Sequence, residues 1–236
     1  VPRLYNYDQS RDTTIRMSFW RLEPSMAYYF YPKGKKIFKH GASLYLDYFS
    51  DSSFTLTDRL IRLSYDMEFL NKSSIKLNTY DQTTRLVFPI DISGKGEEPL
   101  PADIYNYKSA EVEYKSNARR LLFVGTSIKA GQFYNGHILS YSLGVTYRKQ
   151  PWGIFSMNFR YHDLRLPEPY NSSKLILFGP KVQLSFTKSL FLSTYIQYNT
   201  QIENININSR LQWRFRPMSD LYLVYTDNYD TYFYKK

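Results

Sequence analysis

The chain has 236 residues, enough for one large all-β domain, and no Pro-, Gly- or Ser-rich linker divides it, so we predict a single domain over 1–236. No run approaches the roughly 20 apolar residues of a membrane-spanning helix, and the absence of cysteine excludes disulfides and thiolate metal sites. The net charge of +10 would attract phosphates, but the basic residues are spread among the predicted strands instead of forming one stripe. This distribution argues against a nucleic-acid partner.

Apolar and polar residues alternate in short stretches along nearly the whole chain, which predicts about twelve β-strands. Many of these stretches reach the roughly 9 to 11 residues that a tilted membrane strand needs. In chain order, the predicted strands cover 25–31, 43–49, 57–69, 74–84, 107–115, 120–130, 138–148, 153–162, 174–186, 190–199, 204–215 and 220–227.

The clearest alternation lies at 204–215, where one face of the strand is apolar and the other is strongly polar. The apolar face comprises Ile205, Ile207, Leu211, Trp213 and Phe215; the polar face comprises Asn204, Asn206, Asn208, Arg210, Gln212 and Arg214. The polar face is too hydrophilic for a packed core, and the apolar face is unsuited to water. This combination favours a membrane barrel around a wet lumen. A soluble β-sandwich also alternates, and periodicity alone does not separate the two.

The aromatic content, 18% of the chain, exceeds what a soluble core requires. Tyr and Trp suit the two membrane interfaces, where a ring is half wet; ordinary cross-strand aromatic pairs are the alternative explanation. Two clusters fit interfacial girdles: 28–31, and Tyr222, Tyr225, Tyr229, Tyr232, Phe233 and Tyr234. The mean hydropathy of -0.48 agrees with a chain in which only every second residue faces lipid.

The connections between the predicted strands are of two kinds, as an up-and-down barrel with one short-turn rim and one long-loop rim requires. The segments 71–72, 116–118, 149–152, 187–189 and 217–219 are short, whereas 90–103 and 164–173 are long and rich in Pro and charge. We predict that the two long loops share one rim, opposite 149–152 and 217–219. The fold prediction is therefore an all-β, antiparallel, up-and-down transmembrane β-barrel of about 12–14 strands.

Four segments carry a family resemblance: VPRLYNY at the start, QPWG at 150–153, LPEPY at 166–170, and the tail from Phe191 to Tyr229. Together they resemble one family of outer-membrane proteins from Bacteroidota. In that family a carbohydrate-binding-like domain of the family-nine type precedes a C-terminal β-barrel of uncharacterised function. The resemblance implies a binding domain upstream of Val1, which would carry any glycan binding, and a last strand after Lys236. We therefore expect the chain to be part of a longer exported protein, since it begins without an initiator Met or signal peptide.

Charged residues of both signs alternate in phase with the polar faces and are candidates for the lumen. The acids are Asp66, Glu68, Glu111 and Glu113, and the bases are Arg62, Arg148, Arg160, Lys181, Arg210 and Arg214. These groups could oppose each other across the barrel. A constriction that selects solutes and a sealed interior held by ion pairs are both open, because the pairing is not determined by the sequence.

The densest basic cluster is Lys33, Lys35, Lys36 and Lys39, in a predicted loop between strands. A solvated turn is one interpretation; the phosphates of lipopolysaccharide and an acidic partner protein are the others.

Catalytic and metal signals are weak. The three histidines, His40, His137 and His162, lack metal-site spacing. His162 and Asp163 are adjacent on a strand and so point to opposite faces, which does not suit a hydrolase pair. Asp227, Asn228 and Asp230 offer oxygen ligands without the full calcium-loop pattern. We expect no metal, no cofactor and no catalytic site.

The sequence therefore predicts a protein of the bacterial outer membrane. It would act as a channel or as the membrane anchor of an upstream carbohydrate-binding domain. The alternative is a non-conducting structural or interaction subunit of an outer-membrane complex. Outer-membrane lipid, including lipopolysaccharide, is the expected partner in either case.

Overall fold

The computed structural model describes residues 5–8, 11–16, 18–92, 98–170 and 172–231. Its regular structure is all β. Among the described residues, no helix has the length and apolar character needed to cross a membrane. The prediction of an all-β, antiparallel, up-and-down sheet is confirmed.

The described residues form fifteen strands. They are β1 (Tyr5–Asp8), β2 (Thr13–Arg16), β3 (Phe19–Leu22), β4 (Ser25–Phe30), β5 (Ile37–Asp51), β6 (Leu56–Phe69), β7 (Ser74–Arg85), β8 (Ile104–Lys115), β9 (Leu122–Phe133), β10 (Gly136–Lys149), β11 (Gly153–Arg165), β12 (Ser173–Ser185), β13 (Leu190–Asn199), β14 (Asn204–Arg216) and β15 (Ser219–Asp230).

Strands β4 to β15 correspond one for one to the twelve predicted strands. The structure adds three four-residue strands at the start: β1 and β2 pair with each other, and β3 pairs with the end of β5. Segments this short carry too few alternating positions for a periodic signal. Strand β5 also begins six residues before the predicted 43–49, because β4 pairs with its first half.

The large sheet keeps strict sequence order from β15 back to β5, and β5 carries both β3 and β4 on its far edge. The described residues contain no ladder joining β15 to β3 or β4. Each internal strand therefore pairs with its neighbours in the chain, which is the up-and-down arrangement.

Two compact units are distinguishable within the chain. Unit 1 comprises Val1–Glu113, Ile128–Leu139 and Asp163–Ser173; unit 2 comprises Tyr114–Ser127, Ser140–His162 and Lys174–Lys236. Their boundaries fall within strands and not at a linker. The single domain of the sequence analysis stays a prediction.

Some of the predicted connections meet other parts of the same unit. In unit 1 the β7–β8 loop and the β11–β12 loop meet, because Tyr170 packs against a cluster that contains Leu86 and Leu100. The tip of the first loop, 93–97, and residue 171 lie outside the described residues. In unit 2 the β10–β11 turn bonds the end of β12 (Ser185 N to Trp152 O, 2.8 Å). The first finding agrees with the prediction that the two long loops lie together, whereas their position opposite the short turns 149–152 and 217–219 stays a prediction.

Apolar burial is confined to unit 1. Among the described residues, the buried apolar side chains are Phe49, Leu86, Leu100, Tyr105, Tyr107 and Leu164. A soluble domain of this length would bury far more, since hydrophobic burial is what stabilises it. Most large apolar side chains are instead half-buried or exposed along the strands.

Candidate functional site

The two faces of the sheet in unit 1 show burial opposite to that of a soluble protein. On β6, Leu63 is 53% exposed while the neighbouring Ser64 is 2% exposed. On β7, Leu77 is 47% exposed and Asn78 is 2% exposed. Ser64 pairs in register with Asn78, and Leu63 with Thr79. At these positions one face is therefore apolar and outward, whereas the other is polar and covered; nearer the strand ends the outward face also carries the Arg59–Asp81 ion pair (3.0 Å).

A hydrogen-bond network lies on this polar face. The Ser64 hydroxyl donates to Asn78 Oδ1 (2.7 Å), and Asn78 Nδ2 donates to Glu113 Oε1 (3.0 Å) and Glu111 Oε2 (3.3 Å). The Tyr80 hydroxyl donates to the same oxygen of Glu111 (2.6 Å). The two buried polar residues of this network, Ser64 and Asn78, thus both have partners, as burial requires. Two of the predicted acids, Glu111 and Glu113, meet through one amide.

Lys129 and Lys76 join the predicted acids on the same face. The Lys129 ammonium lies 4.5 Å from the centre of the Tyr80 ring, a cation–π contact. Lys76 Nζ is 3.3 Å from Asp66 Oδ1. The sequence analysis did not select Asn78, Tyr80, Lys76 or Lys129, although all four alternate in phase with the residues that it did select.

Glu68 and Arg62 also find local partners. Glu68 accepts from Lys72 (3.2 Å) and lies 3.8 Å from Lys39. The guanidinium of Arg62 stacks over Tyr45 at 4.7 Å. The five selected residues of unit 1 therefore interact within unit 1. The five other selected bases, Arg148, Arg160, Lys181, Arg210 and Arg214, belong to unit 2.

The register in unit 2 aligns polar side chains across β12 to β14. Gln183 pairs with Ser193 and Ser193 with Arg210, while Ser185 pairs with Phe191 and Phe191 with Gln212. These two rows alternate with a row of leucines, Leu184, Leu192, Leu211 and Leu223, that crosses four strands. The predicted faces of 204–215 are confirmed as faces of the sheet.

The selected bases of unit 2 differ in their partners. Arg214 Nε bonds Asp220 Oδ1 at 3.2 Å, and Arg148 Nη1 donates to the carbonyl of Ala118 at 2.8 Å. Arg160, Lys181 and Arg210 have no ion pair within the described part of the chain; Arg210 stacks loosely over Tyr222 at 5.7 Å. The polar face of unit 2 therefore carries uncompensated positive charge.

The lysine cluster divides between a turn and a strand. Lys33, Lys35 and Lys36 are exposed in the β4–β5 connection, next to the exposed rings of Tyr31 and Phe38. Lys39 lies in β5 instead, with its ammonium 5.0 Å from the Tyr29 ring and near Glu68. The sequence analysis was wrong to place Lys39 in the loop, because β5 begins at Ile37.

His162 and Asp163 have separate partners. His162 Nδ1 lies 2.8 Å from the Ser140 hydroxyl, while Asp163 accepts from Arg165 at 2.9 Å. Asp227, considered for calcium, accepts from the Tyr225 hydroxyl at 2.8 Å. Within the described ranges, no three His, Asp or Glu side chains are grouped closely enough to hold a metal ion.

The long loops cover part of the polar face in unit 1. Leu100 is 1% exposed, and a two-bond bridge with Ile90 (3.0 and 2.9 Å) folds the β7–β8 loop back on itself. The Leu100 cluster, defined by Leu86, Leu100, Tyr105 and Tyr107, packs against Phe133, Tyr134 and Tyr170. Tyr107 lies on the polar face, since its hydroxyl is 3.2 Å from that of Thr84.

Comparison of the chain with protein-family models, curated proteins and solved structures finds no match.

Proposed function

We propose that this chain is an outer-membrane β-barrel that acts as a channel or as the membrane anchor of an upstream binding domain. The observation that supports this proposal is the burial pattern on β6 and β7, where Leu63 and Leu77 are exposed and the neighbouring Ser64 and Asn78 are buried. Exposure of an apolar face of this extent is unfavourable in water and favourable in lipid. In this proposal the apolar face contacts lipid and the polar face lines a lumen.

The position of the lysines in the β4–β5 turn indicates how the proposed barrel would be oriented in the outer membrane. Lys36 O accepts from Leu70 N (2.9 Å), so this turn lies beside the β6–β7 turn. At the opposite end of these strands, Arg85 of β7 forms an ion pair with Asp51 of β5 (3.9 Å), next to the long β7–β8 loop. Outer-membrane barrels place short turns in the periplasm. Lys33, Lys35 and Lys36 would then contact phospholipid phosphates of the inner leaflet, and lipopolysaccharide would contact the long-loop rim.

Single-cysteine labelling tests the lipid-facing assignment, because the chain has no cysteine of its own. We expect a fluorophore on Leu63→Cys or Leu77→Cys, in the protein reconstituted into liposomes, to be quenched by a bilayer-soluble quencher. The same label on Thr79→Cys tests a third outward position. Arg62→Cys and Asp66→Cys, on the polar face, serve as controls that should be quenched by aqueous iodide instead. Quenching of Leu63→Cys by iodide alone would contradict the proposal.

A second candidate function is a non-conducting structural or interaction subunit of an outer-membrane complex. It is favoured by the hydrogen-bonded network around Asn78 and by the Leu100 cluster, both of which fill space over the polar face of unit 1. Planar-bilayer recordings separate the two functions. Stable unitary conductance supports a channel; silence of a correctly folded protein that co-purifies with other outer-membrane proteins supports the subunit.

A further inference from the structure

A cleft of about 520 Å³ lies wholly within unit 2. It is lined by Gln150 of the β10–β11 turn and by Gln183, Phe191, Ser193, Arg210 and Gln212 of β12 to β14. We call it the Arg210 cleft. Its volume falls within the range of about 300–1,000 Å³ that is typical of small-molecule sites.

The strand register explains why these side chains converge. Gln183, Ser193 and Arg210 form one cross-strand row, and Phe191 and Gln212 belong to the next row. Opposed residues of an antiparallel pair project to the same side, about 5 Å apart. At the edge of the cleft, Gly153 leaves room for β12, since a side chain there would overlap the carbonyl oxygen of Gln183. The cleft is therefore built mainly by regular structure, and the β10–β11 turn adds Gln150.

Arg210 supplies a positive charge that the described residues do not neutralise with a carboxylate. Asp220, an acid on the same polar face, already accepts from Arg214 (3.2 Å) and from Gln212 Nε2 (3.1 Å). Arg210 instead lies 5.7 Å from the Tyr222 ring. A guanidinium in this state presents its planar donors to an anion, and carboxylates are bound by such donors in bidentate fashion.

The other residues that line the cleft indicate which chemical groups the bound anion would have besides its negative charge. Side-chain amides from Gln150, Gln183 and Gln212 and the Ser193 hydroxyl offer neutral donors and acceptors, which suit hydroxyl groups. Apolar surface against which a ring can pack comes from Phe191, Pro151, Ile154, Leu184 and Leu192. We propose that the Arg210 cleft binds a small hydroxylated organic anion, with the chemistry of a sugar acid, through a carboxylate–Arg210 pair.

The position of this cleft inside a lumen rests on the proposed barrel, whereas binding itself does not. If the protein conducts, the cleft is a solute site on the permeation path. If it does not conduct, the cleft is a ligand site on a closed protein. Binding is therefore measured on the purified, folded full chain in detergent micelles, separately from conductance.

The test uses calorimetric titration with glucuronate and, as the matched neutral probe, glucose. We expect the chain to bind glucuronate about tenfold more tightly than glucose, which corresponds to one charge-assisted hydrogen-bonded contact. Arg210→Gln should abolish this preference, and Arg210→Lys should retain part of it because the charge remains. Lys181→Gln is the matched control, since Lys181 shares the polar face of β12 but does not line the cleft; it should keep the full preference.

Several results would overturn the proposal. They are equal binding of the two sugars by the unmodified chain, no binding of either, an unchanged preference in Arg210→Gln, or loss of preference in Lys181→Gln. Circular dichroism and the electrophoretic shift of heated against unheated protein verify that each variant is folded. Arg210-dependent binding by a protein that shows no conductance would support the cleft and overturn only the channel.

Discussion

The polar faces of unit 1 and unit 2 are built from similar residue types but differ in how far their charges are paired. In unit 1 the carboxylates of Asp66, Glu68 and Glu111 interact with nearby lysine, tyrosine and amide groups. Long loops also cover one end of this polar face. In unit 2, Arg160, Lys181 and Arg210 have no carboxylate partner among the described residues, and the exposed Arg210 lines an open cleft. Paired charges stabilise structure, whereas unpaired ones remain available to a solute.

The largest effect is expected at the Leu100 cluster, the one packed apolar cluster of the described chain. Leu100→Ala should lower the free energy of unfolding by about 2–5 kcal/mol, because a fully buried leucine leaves a cavity. Leu223→Ala in unit 2 is the matched control: Leu223 is 69% exposed and should cost less than about 1 kcal/mol in detergent. Denaturant titration measures both. Equal losses would show that unit 1 is not the better-packed unit.

A slightly smaller effect is expected on the apolar face of unit 2. Leu211→Arg should destabilise the reconstituted protein by about 2–4 kcal/mol, because Leu211 lies near the middle of β14 and would face the bilayer interior. Gln212→Arg, one residue along on the polar face, serves as the control and should be tolerated. If Leu211→Arg is also tolerated in liposomes, the apolar face does not contact lipid.

The Asn78 network offers the third test. Asn78→Ala removes the donor shared by Glu111 and Glu113 and the acceptor of Ser64, so we expect a loss of about 1–3 kcal/mol in unfolding free energy. Asn208→Ala in unit 2 removes only one exposed bond to Thr226 (3.1 Å) and should change stability by less than about 0.5 kcal/mol. A similar cost at both positions would remove the distinction between a packed and an open polar face.

The smallest change in free energy is expected for ion selectivity. If the protein conducts, its uncompensated bases should favour anions. Arg210→Gln should reduce this preference more than Arg214→Gln does, because Arg214 is already paired with Asp220. Reversal potentials under a salt gradient measure the change. A larger effect from Arg214 would mean that its ion pair is broken in the membrane.

Much of the secondary structure follows from local sequence. All twelve strands from β4 to β15 are visible as alternating stretches, because each strand places every second residue in a different environment. The short strands β1 to β3 are not visible, since four residues give no periodic signal. The start of β5 is missed for a different reason: Ile37 and Lys39 belong to the strand because they pair with Phe69 and Glu68 of β6.

The polar face itself was predictable from the sequence, but its partners were not. Alternation identified Glu111 and Arg210 as residues of the same kind of surface. Register then decided that Glu111 meets Tyr80 while Arg210 faces a cleft, and register depends on pairing between strands that are far apart in sequence. Strands β4 to β15 and their two faces are thus encoded locally, because they depend on a period of two residues. The pairing of charges emerges only in the folded sheet, because it depends on distances between strands.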